Sequence, residues 1–260
     1  MKNIVILSSL VILSLTACKK EETIVVAAGK TSLTFDAKVG SADFALNKNF
    51  AINADTFSFT QLRYWVSNIV LTKEDGAVYA DPDSYYLLEE TNAVAIQDGS
   101  YTYPAKKRET VELSNIPAGT YKSVTFSVGI DQAHNDNMSL QAGELSQLSG
   151  MTNISWMWHT SYIFSNLQGT YKFAGATGAT AIKVQTGLNT NYKTVTITLP
   201  AAIAVDGVNA NSIGVNVDVA KIIDGLNLKT TPTVSASTAT EMALVAGNYQ
   251  SKVFSATATK

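Results

Sequence analysis

The decapeptide SWMWHTSYIF, Ser155–Phe164, sets Trp156, Trp158, Tyr162 and Phe164 at alternating positions. Aromatic side chains at every second residue mark a strand with one face against a core, because successive side chains of a strand point to opposite faces. On that reading Trp156 and Trp158 share a face, and Ser155, Met157 and His159 take the other. The stretch also brings two of the three tryptophans beside one of the two histidines of the chain, so it raises a chemical question as well as a structural one.

The same period of two recurs outward in both directions. LTFDAKVG (Leu33, Phe35, Ala37, Val39), YKSVTFSVG (Val124, Phe126, Val128), KTVTITLP (Val195, Ile197, Leu199) and IGVNVDVAKI (Val215, Val217, Val219) all alternate apolar with polar residues. Each predicts a strand with one solvated face. NIPAGTY places Pro117 and Gly119 at the second and fourth positions of a type I turn, directly before one of these strands. Only TATEMALVAGNY reads as a helix: Thr238 and Glu241 form a capping box, and Met242, Val245 and Tyr249 fall on one face. Strands separated by short turns, with one short helix near the end, predict an all-β fold, an antiparallel β-sandwich with a short C-terminal helix. No repeat or change of composition divides residues 33–258, which read as one domain.

The first residues carry an address. MKNIVILSSLVILSLTAC has a positive Lys2, an apolar run from Ile4 to Leu15 that is too short to span a bilayer, and a small residue before Cys18. That is the pattern of a signal peptide over residues 1–17. Leu15–Cys18 resembles a bacterial lipobox, which makes Cys18 the lipidation site and residues 18–32 a lipidated N-terminus and tether. Cys18 is the single cysteine, so the mature chain has neither a disulfide framework nor a thiolate metal site. Acyl chains contribute about 0.8 kcal/mol per buried CH₂, and the expected partner of Cys18 is the membrane. KKEE, Lys19–Glu22, resembles the export signals of lipoproteins sent to the cell surface. The expected localisation is therefore the outer membrane, on its periplasmic or its outward face. With a net charge of −2 and interspersed signs, the chain lacks the basic stripe that nucleic-acid binding needs.

Motifs exclude most enzyme classes. There is no G-x-S-x-G elbow, H-E-x-x-H, Walker A loop, dinucleotide fingerprint or cysteine pair. The acidic turn DPD, Asp81–Asp83, reads as a surface turn before it reads as a calcium loop. We expect a binding protein and not an enzyme. What stands out is the concentration of His134, Met138, Met151, Met157 and His159 around the paired tryptophans. Imidazole and thioether ligands suit copper, so His134, His159 and Met138 are the candidate metal ligands. The plainer reading is that the methionines fill gaps in the core and that His134, in the polar loop DQAHNDN, faces solvent.

Several segments together resemble the MbnP-like copper-binding protein family, whose founding members are methanotroph proteins associated with methanobactin or with copper starvation. LRYWVSNIVL (Leu62–Leu71) is similar to that family's aromatic-Ser-Asn-Ile strand. IPAGTYKSVTFSVGID (Ile116–Asp131) is similar to its Pro-Ala-Gly-x-Tyr turn and the strand that follows, and WMWHTSYIF resembles its paired-tryptophan element. VDVAKIIDG (Val217–Gly225) and AGNYQSKVF (Ala246–Phe254) complete the order. The resemblance implies a β-sandwich that holds copper through histidines and a tryptophan oxidised to kynurenine by a dihaem peroxidase-like partner. It makes Trp156 or Trp158 the kynurenine precursor and places His134 near a family histidine. His159 stands where relatives carry a neutral polar residue, Ser161 replaces their glycine, and the histidine-bearing loop of the methanotroph members is absent. A metal-free alternative is a surface module that binds a glycan or a partner protein through Tyr101, Tyr103 or Trp65.

The lipobox reading has a direct test. Replacing Cys18 with Ala is expected to move the protein out of the membrane fraction or to block its processing; normal processing and unchanged fractionation would remove the anchor.

Overall fold

The computed structural model describes residues 28–96, 100–153 and 161–257. In chain order these form β1 (Gly29–Val39), β2 (Ala42–Asp43), β3 (Asn49–Ile52), β4 (Asp55–Lys73), β5 (Val78–Ala80), β6 (Tyr85–Thr91), β7 (Val94–Ile96) and β8 (Tyr101–Tyr103). There follow β9 (Lys106–Arg108), β10 (Thr110–Ile116), β11 (Gly119–Val128), α1 (Gln132–Asp136), β12 (Thr152–Asn153), β13 (Ser161–Lys172) and β14 (Thr180–Gly187). The last elements are β15 (Lys193–Val205), β16 (Asn211–Asp218), α2 (Val219–Ile222), β17 (Thr233–Val234), α3 (Ala239–Ser251) and β18 (Phe254–Ala256). Among these residues no helix is long and apolar enough to cross a membrane.

The expected sandwich is present. A small sheet runs β10-β1-β16-β18, with β2 beside β1. A large sheet runs β15-β11-β4-β13-β14-β17, and β4 also pairs with β3, β5 and β6. Most pairs are antiparallel, but β1 with β16 and β14 with β17 are parallel, which period-two patterning does not reveal. The alternating apolar residues read from the sequence line the inner faces. Leu33, Phe35, Val215 and Val217 of the small sheet meet Val124, Phe126, Val195 and Ile197 of the large one, all buried. Phe35 is the junction: its ring lies edge-on to Phe126 at 5.2 Å and to Tyr64 at 6.4 Å, and it touches Phe254 at 6.1 Å. Such edge-to-face pairs contribute about 0.5–1.5 kcal/mol beyond the area they bury.

Ordered structure begins earlier than the apolar alternation marks. The segment assigned to the tether, 18–32, overlaps β1, which starts at Gly29, and Thr31 is buried there with its hydroxyl donating to the Asn211 carbonyl. A polar residue at an inward position hid the first turn of the pattern. The helix is where it was expected, with Met242, Val245 and Tyr249 buried against the main core. Its capping box does not form: Thr238 makes no side-chain bond to the helix, and its hydroxyl instead accepts from the Ser235 amide at 2.9 Å.

Strand β4 organises the large sheet through two interruptions. Opposite β13, Gln61 pairs with Gln168 and Phe59 with Gly169, leaving Thr60 as an extra residue. Opposite β11, Val70 pairs with Thr125 and Ser67 with Ser127, leaving Asn68 and Ile69 against one residue. Each bulge flips the inward face: Phe57 and Phe59 point to the main core before the first, Leu62, Tyr64 and Val66 between the two, Ile69 and Leu71 after the second. The Asn68 backbone is left-handed, φ 52°, a conformation that asparagine tolerates better than most residues. Its amide and that of Ile69 donate to the carbonyl and hydroxyl of Ser84, each at 2.9 Å. The Ser-Asn-Ile segment of the sequence is therefore a bulge with both freed donors satisfied.

At the first bulge the backbones come so close that only glycine fits. A Cβ on Gly169 would lie 2.2 Å from the Ser58 carbonyl oxygen and 2.8 Å from the Phe59 Cα. Gly169→Ala is expected to destabilise the fold by about 1–3 kcal/mol, the usual cost of overpacking. Urea unfolding of the variant at unchanged m-value checks this, and an unaltered midpoint would show the bulge to be loosely held.

Candidate functional site

Between its two bulges β4 presents Gln61, Arg63, Trp65 and Ser67 to the face away from the sandwich core, and all four are buried. A second apolar cluster forms there. Trp65 lies edge-on to Tyr162 at 6.0 Å, and Tyr85 and Leu87 of β6, Ile130, and Ile163 and Phe164 of β13 surround it. The segment 131–153 covers this cluster and inserts Met138, Leu145 and Met151. Polar side chains fasten the cover at several points. Glu144 accepts from the Leu87 amide and pairs with Arg108. Arg63 Nη2 donates to the Ser149 carbonyl at 2.7 Å, and Asn135 Oδ1 accepts from the Tyr162 amide at 2.9 Å.

The charged anchor of the cover is itself buried. Arg63 Nε donates to Glu89 Oε2 at 2.8 Å, and both side chains are fully enclosed. The Tyr103 hydroxyl donates to Glu89 Oε1 at 2.5 Å, while its ring packs on the guanidinium at 4.6 Å. Burial first, and then the hydrogen bond to Glu89, push the Tyr103 phenol up to about 12, so it stays a neutral donor.

His134 stands at the edge of the cover, in α1. Asp131 caps this short helix and its carboxylate contacts His134 Nδ1 at 3.1 and 3.2 Å. The Tyr85 hydroxyl donates to Asp131 Oδ2 and lies 2.9 Å from the same ring nitrogen. Because the single phenolic proton goes to Asp131, the network assigns the imidazole proton to Nδ1, which leaves the Nε2 lone pair open. Burial and the bond to Asp131 push the Tyr85 phenol well up, so it cannot release that proton near neutral pH. Burial alone would raise the Asp131 carboxyl, but the Tyr85 hydroxyl and then the ring and amide of His134 outweigh it and hold the group below its usual value.

A histidine whose Nδ1–H is held by a carboxylate is the usual state of a metal ligand, since the outer partner fixes ring and tautomer. His134 fits that role through Nε2. Met138, in the same segment, is buried at 7 % exposure among the Trp65 cluster. The other candidates, His159, Trp156 and Trp158, and the expected split of Ser155–His159 into two faces, lie outside the described residues, as does Cys18; of the rest of that stretch Ser161, Tyr162, Ile163 and Phe164 are all buried. Among the described residues no group of three His, Cys, Asp or Glu is placed to hold a metal ion. The surface-module residues divide: Tyr101 is exposed, Tyr103 is half-buried on Arg63, and Trp65 is wholly enclosed by its cluster. Trp65 therefore offers no contact face. The partners Tyr85 and Asp131 were not singled out from sequence. The signal for Asp131 is its place three residues before His134, where a capping aspartate reaches the helical N–H.

A family model for MbnP matches residues 28–239. Among solved structures, MbnP from Methylosinus trichosporium matches at 16 % identity with a TM-score of 0.46, covering 74 % of this chain and 76 % of that one. No curated protein matches the chain.

The Asp131 network makes a signed prediction. A carboxyl held below its usual value contributes stability that is present above about pH 4 and lost as pH falls through the lowered folded value. Asp131→Asn is expected to lower the melting temperature at pH 7 and to leave it close to that of the parent near pH 2, as a pH series of thermal melts will read.

Proposed function

The chain belongs to the MbnP family, and from that premise we propose that it is a lipid-anchored, extracytoplasmic copper-binding protein that acquires or handles the metal and catalyses no reaction of its own. The observation that carries this reading is the His134 imidazole, oriented through Nδ1 by Asp131 and Tyr85 with Nε2 left as the ligating atom. His159 is the second imidazole of the proposal, and Met138 supplies a thioether. Copper of this kind favours soft and imidazole donors, and the chain's only cysteine, Cys18, is assigned to the lipid anchor. Trp156 or Trp158 would be the residue converted to kynurenine by a dihaem partner. The chain's own part is to hold the His134 ring turned, through Asp131 and Tyr85.

Copper titration of the protein purified without a histidine tag tests this. One equivalent of copper is expected to bind and to raise the melting temperature by mass action. His134→Ala and His159→Ala should each abolish stoichiometric binding, and Asp131→Asn should weaken it by about 10–100-fold, as loss of an outer partner does. Affinity should fall as the solution is made acidic, because metal competes with protons for its ligands. A His134→Ala variant that binds like the parent would overturn the site.

A further inference from the structure

The far end of the sandwich holds a cleft that the copper reading does not use. Tyr171, at its base, lies nine residues along β13 from Tyr162, roughly 30 Å away at about 3.3 Å per residue. The cleft opens where the two sheets part, between the β3–β4 hairpin on one side and the segment 218–229 on the other, and has a volume of about 710 Å³. Small-molecule sites run from about 300 to 1,000 Å³.

Its shape is fixed by the backbone. Gly40, Asn53 and Gly225 on its rim are all left-handed, with φ of 63°, 55° and 83°. The base is the aromatic edge of the core: Phe57 and Tyr171 are register partners of β4 and β13, with rings 5.0 Å apart and only 4 % and 5 % exposed. The walls are polar and of mixed kind. Asp55 and Asp218 are held as acceptors because one oxygen of each takes a backbone N–H, from Ala174 at 3.0 Å and Ala220 at 3.1 Å. Asn53 and Asn227 line the same space and carry amides, which both donate and accept. Positive charge is not in surplus there: Lys221 and Lys229 share the lining with Asp55, Asp218 and Asp224. Lys229 sits 4.5 Å from the Phe173 ring, and the carboxylate of Asp224 is taken by Lys252 at 2.7 Å.

Paired acceptors and amides around an aromatic base, without a surplus of cations, do not suit a phosphate or another anion. They suit an uncharged ligand that is rich in hydroxyls and is held by hydrogen bonds. We propose that this cleft binds a neutral saccharide. The site is separate from Tyr101 and Tyr103 and does not depend on metal at His134.

The test uses the full chain expressed and purified in its processed form, with maltohexaose, cellohexaose and xylohexaose as probes and glucose 6-phosphate as the charged control. Saturation-transfer NMR and calorimetry are expected to show saturable binding of at least one hexasaccharide and none of the control. Ala51→Trp places an indole at an exposed lining position and should weaken binding at least tenfold with the melting temperature unchanged. Asn53→Gly keeps the left-handed backbone, removes only the amide, and should weaken binding by a similar factor if the tryptophan variant fails to fold. Copper binding should be unaffected in both. No binding of any hexasaccharide by the parent, tighter binding of glucose 6-phosphate, or parental binding in a folded variant would each overturn the proposal.

Discussion

Seven consecutive residues of β4, Gln61 to Ser67, are buried, although a strand normally has one wet face. Much of the remaining architecture depends on that constraint. Because both faces are covered, one strand serves two cores. Leu62, Tyr64 and Val66 close the sandwich, while Trp65 on the other side anchors the cluster beneath segment 131–153. The bulges at Thr60 and Asn68 bound this stretch and set which side chains go to which core. A one-residue slip at either would exchange the two sets, sending Arg63 into the sandwich and Leu62 under the cover.

The ionic part of the second core follows from the same constraint. A charged residue at position 63 cannot reach water, so its guanidinium is met by Glu89, Ser149 and the Tyr103 ring. Such a pair adds little net stability over an apolar substitute, yet breaking it leaves an uncompensated charge at a cost of about 3–5 kcal/mol. What it supplies here is direction. A fork of N–H donors fixes where Ser149 sits, and with it the end of the segment that carries His134 and Met138. An apolar contact would have left that segment free to slide.

The inner faces of the sandwich were legible in sequence because β1, β15 and β16 keep a more exposed face and β11, though covered on its other side, carries Ser123, Thr125 and Ser127 there, so that all four alternate. The helix was legible from Met242, Val245 and Tyr249. β4 was not, since burial on both sides erases the alternation and its bulges change the phase; LRYWVSNIVL announced itself by resemblance and not by period. The parallel pairing of β1 with β16 carries no local signature at all. At the candidate site the histidine was visible, but its partners were less so. Tyr85 comes from a strand 49 residues upstream of His134, and only the fold brings it there. Asp131 was within reach of a capping argument that the short polar loop DQAHNDN did not suggest.

The parallel register that joins Thr31–Lys38 of β1 to Asn211–Asp218 of β16 sets an order of events for the chain. The first strand of the domain has its centre closed by a neighbour about 180 residues later, and that long loop must be drawn in before the pairing yields any return in contacts. A chain emerging from its N-terminus thus cannot complete the small sheet until residues 211–218 have followed. Until then Leu33 and Phe35 have only β10 beside them. Closure of the small sheet in this way waits on the delivery of β16, and the timing is written into which strands are neighbours.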